Sequence, residues 1–181
     1  MPDSRINASQ CYLAGMNIRL AERDLETKFG AFREILYYDG QCESIALVKG
    51  DVSGKSEVLC RVHSHCIGAH VFNSVERACR EEMAAAQEMI EREGTGVVIW
   101  LDQEGKGNGH LALIESMKFK KEFGQAQAYV RAGFAADARD YRPAAEILSD
   151  LNVRSIRLIS NNPDKADDLR RASIEVAGIT G

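Results

Sequence analysis

The 181-residue sequence predicts a single α/β domain whose mixed sheet is antiparallel in its N-terminal part and mainly parallel in its C-terminal part. Three observations carry this. GAFREILYY and CESIALVKGDV alternate apolar and polar residues on either side of Asp39-Gly40, which is the pattern of an antiparallel hairpin. TGVVIWL is a continuous apolar run, as expected for a strand buried on both faces. Beyond it, strand-like and helix-like segments alternate, and such alternation needs crossover connections and hence a largely parallel sheet.

Taken in order, residues 1–24 lack strong periodicity and are expected to form an N-terminal arm, with the folded domain covering 25–181. The hairpin follows, then EVLCRVHS as a third strand that delivers HSHC at its end. Val75, Cys79, Met83, Ala86 and Ile90 recur at helical spacing, so a helix is expected from Ser74 to a stop at Gly94. TGVVIWL then runs into QEGKGNGH, a loop with three glycines. A second helix is expected from about His110 to Phe123, stopped by Gly124. After a less regular stretch, Pro143 suits the first turn of a helix over AAEILSDL. VRSIRLIS is another buried strand, NNP breaks it, PDKADDLRRAS is a helix and IEVAGIT the closing strand.

The net charge is −4 and the basic residues are scattered, so composition gives no support to a nucleic-acid or anionic-membrane surface. No apolar run approaches the length of a membrane span and the first ten residues are polar, which points to the cytoplasm. In that reducing compartment the five cysteines are expected as free thiols or metal ligands.

Four segments could carry chemistry. In HSHCIGAH, Cys66 together with Cys79 offers two ligands of a catalytic zinc, and His65 or His70 a third; the alternative is a strand end with solvated histidines. QEGKGNGH lets backbone N–H groups approach phosphate, with Lys106 adding charge, although its spacing is neither that of a P-loop nor that of a dinucleotide fingerprint. ADARDY places Asp137, Arg139 and Asp140 together, and SNNPDK ends a strand with Ser160 and puts Lys165 at the start of a helix. Ligands of α/β proteins gather at such carboxyl ends of strands.

In order and spacing, RVHSHC, GVVIWLDQEGKGNG, GFAADARDY and VRSIRLISNNPDK closely resemble GTP cyclohydrolase II, the first enzyme of riboflavin synthesis, from about Leu25 to the carboxyl terminus. The resemblance implies a usually dimeric hydrolase of GTP that uses zinc and magnesium to open the imidazole ring, release formate and remove pyrophosphate. It implies Arg139 as the nucleophile toward the α-phosphate and Asp137 as its proton acceptor. Arg61, His63, Ser64, His65, Glu82, Glu104, Gly105, Lys106, Ser160 and Lys165 fall on substrate-binding positions.

The departures cluster at the other end of the site. The family holds zinc with three cysteines, of which Cys66 and Cys79 match the first and last while Arg77 stands at the middle one. A guanidinium has no lone pair for a metal, so a zinc here would need His70, or His65, as its third ligand. The family's catalytic tyrosine falls at Met117; Glu82 replaces a glutamine, Lys106 an arginine and Ser160 a threonine. The expectation is therefore a homodimeric, GTP cyclohydrolase II-like hydrolase of a nucleotide or related heterocycle with altered substrate or reaction. The alternatives are an ordinary GTP cyclohydrolase II with a Cys2His zinc, and a catalytically inactive nucleotide-binding regulator.

Overall fold

The computed structural model describes residues 17–181. Its centre is one seven-stranded sheet in the order β1-β2-β3-β5-β4-β6-β7, formed by β1 (Ile18–Thr27), β2 (Gly30–Tyr38), β3 (Glu43–Lys49), β4 (Val58–Ser64), β5 (Gly96–Leu101), β6 (Ile156–Ile159) and β7 (Val176–Thr180). The pairs from β1 to β3 and on to β5 are antiparallel, and β5, β4, β6 and β7 run parallel. This is the mixed sheet that the sequence predicts, with the hairpin turning at Asp39-Gly40.

The helices are α1 (Ile67–His70), α2 (Cys79–Glu93), α3 (His110–Arg131), α4 (Arg142–Asp150) and α5 (Pro163–Arg171). The central parallel strands β4 and β5 alternate their side chains between two cores. Val97 and Ile99 face a cluster with Ile147, Leu148 and Leu169, so α4 and α5 cover one side. Val98 and Leu59 face Phe32, Ala86 and Ile90, so α2 covers the other. Burial on both faces is why β4 and β5 read as unbroken apolar runs.

Three expectations change. The boundary expected at residue 24 falls inside β1, which pairs with β2 from Ile18 onward; residues 1–16 lie outside the described residues. As an edge strand, β1 leaves Ile18 to Asp24 exposed, and without a buried face it shows no period of two. The helix expected from Ser74 starts at Cys79, because Asn73 turns the chain with φ 56° and Val75 projects into solvent, 99% exposed. Gly124 breaks α3 with φ 71° and ψ 173°, as expected, but helical structure resumes and runs to Arg131.

Candidate active site

Because β5, β4 and β6 are parallel neighbours, their carboxyl ends lie side by side, and the motifs separated in sequence meet there. All of the candidate residues except His70, Glu104, Asp137, Asp140 and Ser160 line a single cavity of ≈ 130 Å³, joined by Arg77 and Gln103.

On β4, Arg61 is buried; it donates to the Ile159 carbonyl at 3.0 Å and to the Glu82 carboxylate on α2 at 2.5 Å. His63, also buried, is pushed down to about 3 by burial and by the Arg61 charge, so it is a neutral imidazole. Its Nε2 has no hydrogen-bond partner, and the same is true of the Nε2 of His70, whose ring stands edge-on at 5.0 Å. His65 pairs through Nδ1 with Asp102 at 3.1 Å. Gln103, which sequence reasoning did not single out, donates to the Ser64 hydroxyl at 3.2 Å and accepts the Asp140 N–H at 3.0 Å. It thereby joins the end of β4 to the ADARDY segment. A polar residue two positions beyond a buried strand is the only signal for it.

The glycine loop is held by its own residues. Glu104 accepts the N–H groups of Gly105 at 3.1 Å and Ile67 at 2.8 Å, fixing the loop to α1. Lys106 adopts φ 56°, and its carbonyl accepts the Ala138 N–H at 2.9 Å. A Cβ on Gly107, at φ 80°, would lie 2.5 Å from the Ala138 oxygen, so only glycine permits this approach. The side chain of Lys106 then reaches Asp137 at 3.4 Å.

Asp137 holds Arg139 by two hydrogen bonds, Nε to Oδ1 at 2.9 Å and Nη2 to Oδ2 at 2.6 Å. Burial works to raise the Asp137 carboxyl, but the Arg139 hydrogen bonds and charge, with Lys106, hold it below the ordinary carboxylate range. Burial likewise works against the Arg139 cation, and Asp137 outweighs it. From α5, Lys165 is 7% exposed and donates to the Val62 carbonyl. Burial, followed by the Arg61 and Arg139 charges, pushes it down to about 7. Ser160 lies just outside, its hydroxyl accepting the Asn162 N–H at 3.1 Å in the turn before α5.

At the opposite end, burial, with the Cys66 thiol beside it, pushes Cys79 up to about 12. Among the described residues no three His, Cys, Asp or Glu side chains form a group able to hold a metal ion. The zinc implied by the resemblance meets two thiols and the Arg77 cation, and as arranged these residues do not fit it.

The chain from 18 to 180 matches the family described as GTP cyclohydrolase II. A riboflavin biosynthesis protein RibBA of Bacillus cereus is 44% identical over 161 residues, which is 87% of this chain and 41% of that protein. The RibBA of Bacillus cytotoxicus is 42% identical over 158 residues, 86% and 40% of the two chains. The chain thus spans about two-fifths of the length of these curated relatives. Among solved structures, RibBX, a two-domain 3,4-dihydroxy-2-butanone 4-phosphate synthase from A. baumannii, superposes with a TM-score of 0.52 at 20% identity, over 96% of this chain and 43% of that one; this is a likeness of fold. With nearly every described residue inside the family match, this chain belongs to the GTP cyclohydrolase II family.

Proposed function

We propose that this protein binds a nucleoside triphosphate, GTP first, and hydrolyses it chiefly at its phosphate end, releasing pyrophosphate, with the ring-opening step altered. The observation that carries this is the charge of the cavity. Arg61, Arg77, Lys106, Arg139 and Lys165 line it against one carboxylate, Glu82. Five cations around ≈ 130 Å³ suit a polyphosphate, and Lys165 regains full charge once an anion replaces water beside it.

In the reaction, water oxygen bonds to the α-phosphorus and gives up a proton to solvent, while the bond to the bridging oxygen breaks and pyrophosphate departs with that bond's electron pair. Arg139, Lys106 and Lys165 meet the charge that develops on the departing group. The resemblance makes Arg139 a nucleophile, but its two bonds to Asp137 keep it charged, which favours a clamp positioned by Asp137. At the base end, a zinc would activate water against the ring; Arg77 supplies no Lewis acid there, and Met117, at the position where the resemblance puts a catalytic tyrosine, supplies no proton-transfer group.

The test is to incubate the purified chain with GTP and magnesium and to quantify pyrophosphate and formate separately. Pyrophosphate in clear excess over formate is the expected result. Equal amounts would identify an ordinary GTP cyclohydrolase II, and binding without either product would identify a regulator.

A further inference from the structure

Gln103 stands two residues beyond β5, is 4% exposed and lines the cavity at the strand ends. We propose that it is a positioning residue, whose amide sets where Arg139 presents its guanidinium and which way the Ser64 hydroxyl turns its hydrogen.

The orientation of the amide follows from its partners. Asp140 approaches with a backbone N–H, which can only donate, so the side-chain oxygen of Gln103 faces it, at 3.0 Å. The amide nitrogen is left facing Ser64 and donates to the hydroxyl oxygen at 3.2 Å. A hydroxyl oxygen that accepts there keeps its own hydrogen to give elsewhere, and Ser64 lines the cavity. Gln103 thereby turns the end of β4 into a donor toward an anion.

The same amide reaches the cation on the facing segment. The peptide N–H groups on either side of Arg139 are both anchored to the chain around the glycine loop, that of Ala138 to the Lys106 carbonyl at 2.9 Å and that of Asp140 to Gln103. Asp137 grips the guanidinium, but it belongs to the same short segment, so it fixes the side chain against its own backbone and not against β4. The tie to β4, where Arg61 and Ser64 stand, runs through Gln103. Without it, a segment held at Ala138 pivots about that bond and carries Arg139 with it.

What Arg139 is positioned for rests on the nucleotide reading above; the positioning itself does not. The experiment pairs two measurements on the full chain: pyrophosphate release from GTP with magnesium, and amide exchange together with the Arg139 Nε–H resonance by NMR. Gln103→Met keeps the length of the side chain and removes both hydrogen bonds. Its kcat, per folded molecule and well below the melting point, should fall about 30-fold with KM changed less than about threefold, because Arg139 meets charge that develops as the leaving group departs. Gln103→Glu still accepts from Asp140, but its carboxylate takes the Ser64 hydrogen and adds a negative charge to the wall. It should recover kcat to within about threefold of native while KM rises about tenfold. A merely structural brace would lower the melting temperature of both variants without splitting kcat from KM. Exchange of the Asp140 amide should quicken about tenfold in Gln103→Met and stay slow in Gln103→Glu, with the Arg139 resonance moved only in the former. An unchanged kcat in Gln103→Met, an equal loss of kcat in both variants, or Asp140 exchange indifferent to Gln103→Met would each overturn the proposal. A native chain that releases no pyrophosphate would sink the nucleotide reading instead, and the NMR pair would then decide alone: faster exchange at Asp140 with a moved Arg139 signal supports the positioning, and the absence of either ends it.

Discussion

Arg139 and Arg77 are both cations on the wall of one cavity, yet they sit in opposite kinds of structure. Arg139 is pinned by Asp137, and its segment is tied by the Ala138–Lys106 backbone hydrogen bond to the glycine loop and through Gln103 to β4. Arg77 lies just before α2, on the same cavity wall as the Cys66 and Cys79 thiols, with no carboxylate pinning it among the ion pairs of the described residues. The phosphate end is a cross-braced frame spread over three segments, whereas the thiol end depends on the identity of a few side chains. On the nucleotide reading proposed above, a site built this way would exchange its base chemistry without disturbing its hold on phosphate.

The largest change should come from restoring the thiol end. Arg77→Cys should take zinc content, read by elemental analysis of protein purified without chelator, from well below one to about one per chain, and Cys66→Ala on that background should remove it. Thiolate zinc sites are worth on the order of 10 kcal/mol, so the change is close to all-or-none. A native chain that already carries one zinc, lost in Cys66→Ala, would show that His70 completes the set and that the two ends are alike.

At the phosphate end, Lys165→Ala should weaken nucleotide binding about 100-fold, roughly 2.7 kcal/mol, in a calorimetric titration. The same residue sets a pH dependence. Its ammonium is pushed down to about 7, so above that pH the free protein is increasingly neutral at Lys165, while bound phosphate demands the charged form. Affinity should fall by up to about tenfold per unit as pH rises from 7, with proton uptake visible as a buffer-dependent heat, and the slope should vanish in Lys165→Ala. A flat profile in the native chain would remove Lys165 from the phosphate contacts.

The smallest effect is at the seam between the two ends. Glu82→Gln frees Arg61 and removes the cavity's one lining carboxylate. The Glu82 side chain is 44% exposed, so screening holds the expected gain in nucleotide affinity to about threefold. Weaker binding would show that Arg61 needs Glu82 to hold its position.

The sheet was largely legible because its central strands are buried on both faces and its hairpin alternates cleanly. β1 was not, since an edge strand exposed on both sides leaves no pattern, and Val75 matched a helical face that the turn at Asn73 never builds. At the site, the motif resemblance named residues from four distant segments, and parallel strand order brings most of them to one cavity. What it missed was a group whose importance is relational. Gln103 matters through what it bridges. That property is not written at a single position.

The junction of Gly107 with Ala138 carries a practical consequence for anyone wishing to redesign this protein. It is made of main chain against main chain, through the Lys106 carbonyl and the Ala138 N–H, and it asks of the sequence only that residue 107 lack a Cβ. Libraries that randomise positions 77, 82 and 117 while holding 107 fixed should therefore keep their fold in most members. If the proposed nucleotide reading holds, the same scaffold becomes a chassis on which new reactions at a nucleotide's base can be selected with the phosphate anchor already in place.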